Sequence, residues 1–176
     1  IVQMKEITEY HNYQSELSFL TTDTDRMDYI SGLIKKISES GNTLVLVDRI
    51  KSGKQICKNL PEASFVSGEM KTLKRKDHYD EINEGTNEIV VATYGVAAVG
   101  INIPRIFNMV LLEPGKSFVR VIQSIGRGVR KASDKDHVEI WDIASTAKYS
   151  KRHLRERKKF YKEAEFPYTI EKVDYK

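Results

Sequence analysis

The sequence predicts an α/β protein, a parallel sheet with helices packed on both of its faces. Apolar strand-like runs alternate with helical patterns along the chain, and repeated strand–helix units need a parallel sheet covered on both sides. Runs such as TLVLVD (43–48) read as strands buried on both faces. The make-up is that of one globular domain with a real core: 176 residues, 40% hydrophobic and 31% charged.

Each element has its own justification. Residues 1–21 have scattered apolar positions (Val2, Met4, Ile7, Leu17, Phe19, Leu20) without clear periodicity, which reads as an extended lead-in or interdomain linker. A domain is then expected over 22–176. TTDTDRMDYISGLIKKISESG carries a helix signature, with Thr22 to Asp25 as capping candidates. Met27, Ile30, Leu33, Ile34 and Ile37 fall at helical spacing, and Gly41 is the stop. After the strand at 43–48 come a helix over 50–60, a short strand SFVSG (64–68) and a charged helix over 73–84. EIVVAT (88–93), a short turn or helix over 94–99 and NMVLLE (108–113) follow. HVEIWDIA (137–144) is a strand, 148–164 a basic helix, and YTIEKV (168–173) the last strand.

Between 113 and 137 lies the stretch FVRVIQSIGRGVRK (118–131). At helical periodicity Phe118, Val121, Ile122, Ile125 and Val129 share one face, while Arg120, Gln123, Arg127 and Arg130 share the opposite one. Guanidinium groups are planar, always charged and rich in donors, so they match phosphate oxygens. Gly126 and Gly128 each lower helix propensity by roughly 1 kcal/mol relative to alanine. Close approach of another backbone or a ligand would account for them. A surface helix with solvated arginines is the plainer alternative.

Several function classes are excluded or disfavoured. The net charge of +4 and pI near 9.0 are compatible with nucleic acid without requiring it. The single cysteine, Cys57, rules out an internal disulfide and sits in a helical pattern beside Ile56 and Leu60, as a packed thiol would. No run reaches the length of a membrane span and the first residues lack a signal-peptide core, so a cytoplasmic, intracellular protein is expected, with no membrane partner. The chain begins at Ile1 rather than Met, as a piece of a longer protein would. Gly115-Lys116-Ser117 mimics the end of a phosphate-binding loop, but the glycine required five positions earlier is Val110. Gly53-Lys54 has Asp48 at that place. No GxGxxG or GxSxG loop follows a strand, and the four histidines show no ligand spacing, so no metal site is expected.

In parallel sheets, function gathers at the carboxyl ends of the strands. Those ends are Asp48-Arg49, Ser67-Gly68, Thr93-Tyr94-Gly95, Glu113-Pro114-Gly115 and Ile143-Ala144-Ser145, joined by AAVGINIP (97–104). There IVVATYGVAAVGINIP resembles motif V of superfamily-two helicases and QSIGRGVRK resembles motif VI; TLVLVD and SFVSGEM resemble motif IV and the segment after it. They stand in that family's order across 22 to about 145, so the chain resembles the second RecA-like domain of such a helicase. Within the superfamily it resembles the phage UvsW-type branched-DNA helicases.

The resemblance implies roles. Arg127 and Arg130 would reach the γ-phosphate of ATP, bound with Mg2+ mainly by the first RecA-like domain of the same chain, with Arg130 as arginine finger. Gln123 would couple nucleotide state to the domain interface. Gly100 and Asn102 would lie near the nucleotide sugar and catalytic water. Thr93 would hold a nucleic-acid phosphate, with Ser67 and Gly68 along the same track. Asn102, Ser124 and Val99 depart from the residues frequent in the family. The implied activity is ATP-dependent DNA unwinding or translocation on branched or single-stranded DNA in recombination and repair, with RNA left open and no hydrolysis expected without the first motor domain. A non-catalytic RecA-like module binding nucleic acid or a partner is the alternative, and an unrelated doubly wound nucleotide-binding enzyme a further one. On the basic helix, Lys148, Lys151, Arg152, Arg155, Lys159 and Lys162 lie at helical spacing opposite Leu154, Phe160 and Tyr161. Lys151, Arg155 and Lys159 are candidates for sequence-independent phosphate contacts, against the plainer reading of a solvated basic face.

Overall fold

The computed structural model describes residues 1–66, 68, 72–98, 105–115, 122 and 138–175. Among them, seven strands form one all-parallel sheet. In chain order they are β1 (Val2–Met4), β2 (Thr43–Val47), β3 (Ser64–Val66), β4 (Ile89–Thr93), β5 (Asn108–Leu112), β6 (Glu139–Ser145) and β7 (Glu171–Val173). Their order across the sheet is β3-β4-β2-β5-β6-β1-β7. The described helices are α1 (Tyr13–Thr22), α2 (Thr24–Ser38), α3 (Ile50–Asn59), α4 (Thr72–Glu84), α5 (Tyr94–Ala98) and α6 (Lys148–Glu163).

The strand period of two divides the core. In β2, Leu44 and Leu46 join Val66, Val90, Ala92, Met109, Leu111 and α6 Tyr161 on one face. Val45 and Val47 join Val91, Val110, Leu112 and Ile143 on the other, under α2 Met27, Ile30, Ile34 and Ile37 and α3 Ile56. Both faces are covered, as the apolar runs require. α2 begins where capping chemistry places it: the Asp23 carboxylate accepts from the Arg26 amide at 3.0 Å. Gly41, with φ +147°, ends the turn after α2 where a Cβ would lie 2.8 Å from the Phe107 ring. Gly53, which mimics a phosphate loop in sequence, serves packing: a Cβ there would meet Phe65 at 2.3 Å, so glycine lets α3 lie against β3.

One expectation is corrected. Residues 1–21 are not an extended lead-in. Val2–Met4 pairs in parallel with β6 (Val2 opposite Ile143) and with β7 (Val2 opposite Glu171), inside the sheet. Residues 13–22 form α1, capped by Asn12, whose side chain accepts from the Ser15 amide at 2.9 Å. Leu17 and Leu20 are buried, and Thr21 is tied to α3 through the Ser52 hydroxyl, which donates to its carbonyl at 2.7 Å. A three-residue strand is too short to show a period. α1 also buries Glu16 and Thr21 beside its two leucines, which blurs its apolar stripe. Of the arginine stretch 118–131, only Ile122 is among the described residues; it packs on the core of the face shared with Tyr161.

Candidate functional site

Because all strands are parallel, their carboxyl ends share one edge of the sheet. Register sets Thr93, the last residue of β4, beside Val47, the last of β2. Thr93 is half-buried, and its Oγ1 accepts from the Val96 amide at 3.3 Å, capping α5. A hydroxyl that accepts in this way keeps its own proton to donate, so the cap and a phosphate contact are compatible. Gly68 lies just past β3, exposed, with open space around the position of a Cβ.

Beneath this edge is a buried ionic network. The Arg26 guanidinium, fully buried on α2, donates to Glu6 at 3.1 Å, to Glu113 at 2.6 Å and to the Leu20 carbonyl. Glu113 follows β5 with φ +43°, a left-handed conformation uncommon for a side chain of its size. That turn aims its carboxylate inward, where its second oxygen accepts from the Ser150 hydroxyl at 2.8 Å. Burial pushes the Glu113 carboxyl above the usual range, and Arg26 and Ser150 offset part of that rise. Glu16 reaches across from α1 to accept from the Tyr149 and Ser150 amides at 2.9 and 2.8 Å. A carboxylate thus closes the positive N-terminus of α6.

The second part of the network faces the other way along α6. Arg157 donates to both Asp142 oxygens at 2.7 and 2.8 Å and to the Pro114 carbonyl at 2.7 Å. The Tyr161 hydroxyl donates to the same carboxylate at 2.6 Å. Burial works against the Arg157 charge, but Asp142 beside it prevails and the guanidinium holds its proton more firmly than usual. Glu113 and Pro114, the residues that lead out of β5 toward 118–131, are therefore held at the side chain of one and the carbonyl of the other.

Of the site residues expected from sequence, Thr93, Gly68, Lys151, Arg155 and Lys159 are described; the three cations are exposed on α6. Ser67, Gly100, Asn102, Gln123, Arg127 and Arg130 lie outside the described residues. Arg26, Glu16, Asp142 and Arg157 are buried polar residues that the sequence reading passed over. A signal for Arg157 exists: with Ser150, Leu154 and Tyr161 it keeps the 4-3-4 spacing of a buried stripe. Asp142, inside an apolar strand, is another. Cys57 is half-buried and packs against the core, its thiol pushed up to about 11 by burial, so it is protonated near neutrality. Among the described residues, no group of three His, Cys, Asp or Glu could hold a metal ion. None of the helices among them is long and apolar enough to cross a membrane.

A parallel sheet covered on both faces, with hydroxyl and glycine residues along its carboxyl edge, is the architecture of a RecA-like domain. Residues 25–132 match the family described as the helicase conserved C-terminal domain, and the chain belongs to that family. It is 31% identical over 153 residues to the ATP-dependent DNA helicase uvsW of Enterobacteria phage T4, covering 84% of this chain and 30% of that protein. The solved structure of T4 UvsW superposes with a TM-score of 0.83 at 24% identity, over 99% of this chain and 42% of that one. The yeast protein Dbp5 bound to RNA and ADP BeF3 shares the fold at a TM-score of 0.60 and 18% identity, over 99% of this chain and 42% of Dbp5. The chain thus spans less than half of each relative.

Proposed function

We propose that this chain is the second motor domain of an ATP-dependent DNA helicase or translocase acting on branched DNA in recombination and repair. The observation that carries the reading is the order of the helicase motifs along a sheet whose carboxyl edge gathers Thr93 and Gly68. The donor set fits a polyphosphate: Arg127 and Arg130 offer guanidinium groups. Mg2+ would be held, with most of the ATP, by the first RecA-like domain.

ATP, when bound mainly by that first domain, would supply the binding energy that draws the two domains together and the phosphoryl transfer that releases them. Arg130 would donate to the γ-phosphate oxygens as arginine finger and Arg127 would share that charge. Gln123 would couple nucleotide state to the domain interface, and Gly100 and Asn102 would serve the nucleotide sugar and the catalytic water. Thr93 donates its hydroxyl proton to a nucleic-acid phosphate, and Ser67 and Gly68 continue that track. Lys151, Arg155 and Lys159 add phosphate contacts that do not depend on sequence.

An arginine finger is worth roughly 10³ to 10⁵ in rate. In a protein that contains both motor domains, Arg130→Ala is therefore expected to lower nucleic-acid-stimulated ATP hydrolysis at least about a thousandfold while nucleotide binding survives. Residues 1–176 alone, with no phosphate-binding loop in the sequence, are expected to hydrolyse no ATP. Near-normal turnover by the Arg130→Ala protein would remove Arg130 from the mechanism, and turnover by the pure 176-residue chain would overturn the two-domain reading.

A further inference from the structure

Three aromatic side chains meet where α1 and α6 cross at the carboxyl edge. The Tyr13 ring stands edge-on to Tyr149 at 6.0 Å and to His153 at 5.1 Å. All three are only half-buried. Two exposed cations from α6 lie against the same group: the Lys148 ammonium is 5.4 Å from the Tyr149 ring centre and the Arg152 guanidinium 5.5 Å. The Tyr149 hydroxyl donates to the His11 carbonyl at 3.5 Å, which holds the ring in place from the α1 side. Packing of two helices alone would be served by aliphatic side chains and needs no cations against the ring; the outermost planar group here is the exposed Arg152 guanidinium over Tyr149.

The surroundings point to one kind of occupant. Lys148, Arg152, Arg155, Lys159 and Lys162 form a stripe along α6 that starts at this aromatic group and runs roughly 20 Å along the helix. Only Glu156 and Glu163 stand on the same helix as acids, and Glu156 is paired with Lys159 at 3.5 Å. Two amides at the α6 N-terminus, those of Tyr149 and Ser150, are already taken by Glu16, so side chains are the main donors to an anion at this end. Planar aromatic and guanidinium faces beside a row of cations suit an unpaired nucleic-acid strand: bases stack and phosphates pair, with little dependence on sequence.

We propose that Tyr149 and Arg152, supported by Tyr13 and His153, form a base-stacking platform for an unpaired strand at the carboxyl edge, from which the phosphates run along the α6 stripe. This rests on the nucleic-acid reading above and adds a site for bases to it.

The test uses the 176-residue chain and three fluorescent probes: a single-stranded oligodeoxynucleotide, the same strand with abasic positions, and a duplex of equal length. Arg152→Lys keeps the charge and removes the planar face; Tyr149→Leu keeps apolar bulk and removes the ring. Each is expected to weaken binding of the ordinary strand roughly 5- to 150-fold, the range for one stacked base. Affinity for the abasic strand and the duplex, and the slope of log affinity against log salt, stay near wild type, and Tyr149→Phe, which keeps the ring and loses only the hydroxyl, weakens binding of the ordinary strand less than Tyr149→Leu. The platform is refuted, with the nucleic-acid reading left standing, if wild type binds ordinary and abasic strands equally or if both variants lower all three probes alike. If wild type binds none of the probes even at low salt, the underlying reading fails with it.

Discussion

The two faces of α6 put the same chemistry to opposite uses. Arg155 and Arg157 are two residues apart; Arg155 is exposed among lysines, whereas Arg157 is 3% exposed and holds Asp142 with two hydrogen bonds. On the buried face Ser150, Leu154, Arg157 and Tyr161 clasp β6 and the loop after β5. On the exposed face the ion pair of Lys159 with Glu156 at 3.5 Å is open to water and contributes little to stability. Counting charges on such a helix therefore says little. What decides an arginine's role is whether it falls in the apolar stripe, where water cannot compensate a lost partner.

That contrast can be broken most forcefully at Arg157. Arg157→Met leaves the Asp142 carboxylate buried without its main partner, and the loss is expected to be about 3–5 kcal/mol, read by urea unfolding. A change no larger than that of Arg155→Met would erase the distinction between the faces. A smaller effect belongs to Tyr161→Phe, which removes a hydrogen bond to a charged group and is expected to cost roughly 1.5–3 kcal/mol. Burial, and then the Asp142 carboxylate, hold the Tyr161 hydroxyl well above the usual tyrosine range. With its folded pKa raised, its contribution is fully present below the ordinary tyrosine pKa of about 10 and is lost as pH rises beyond it, because the unfolded chain releases the proton first. Unfolding followed from about pH 9 to 11 should accordingly show a shallower alkaline decline for Tyr161→Phe than for wild type. An identical decline would remove Tyr161 from the buried cluster.

The same contrast marks how far sequence reading reaches. The parallel sheet was legible because β2, β4 and β5 are apolar on both faces, a pattern with few other solutions. The basic stripe and the apolar positions Leu154 and Tyr161 were legible because a helix repeats them. β1 and α1 were not, since three residues show no period and α1 buries a glutamate and a threonine for tertiary reasons. The ionic network was hidden for a related cause. Arg26 and Glu113 are 87 residues apart, and nothing local marks either as the other's partner. Motif resemblance marked Thr93, but its cap on α5 and its place beside Val47 emerge only from the register of the sheet.

The smallest structural effect is expected on the exposed face, and there the functional effect is the decisive one. Lys151→Gln, Arg155→Gln and Lys159→Gln combined should leave the urea midpoint of the chain at its wild-type value. Each phosphate contact contributes about 0.7 to 0.9 to the slope of log affinity against log salt, so the slope should fall by about two to three units with base preference unchanged. The measurement is DNA binding by the wild-type and triple-substituted chains across a salt series, with folding checked in parallel. A reduced slope in a fully folded protein is what a nucleic-acid grip on this face predicts; wild-type slope and affinity in an equally folded protein would contradict it and leave α6 as a solvated surface.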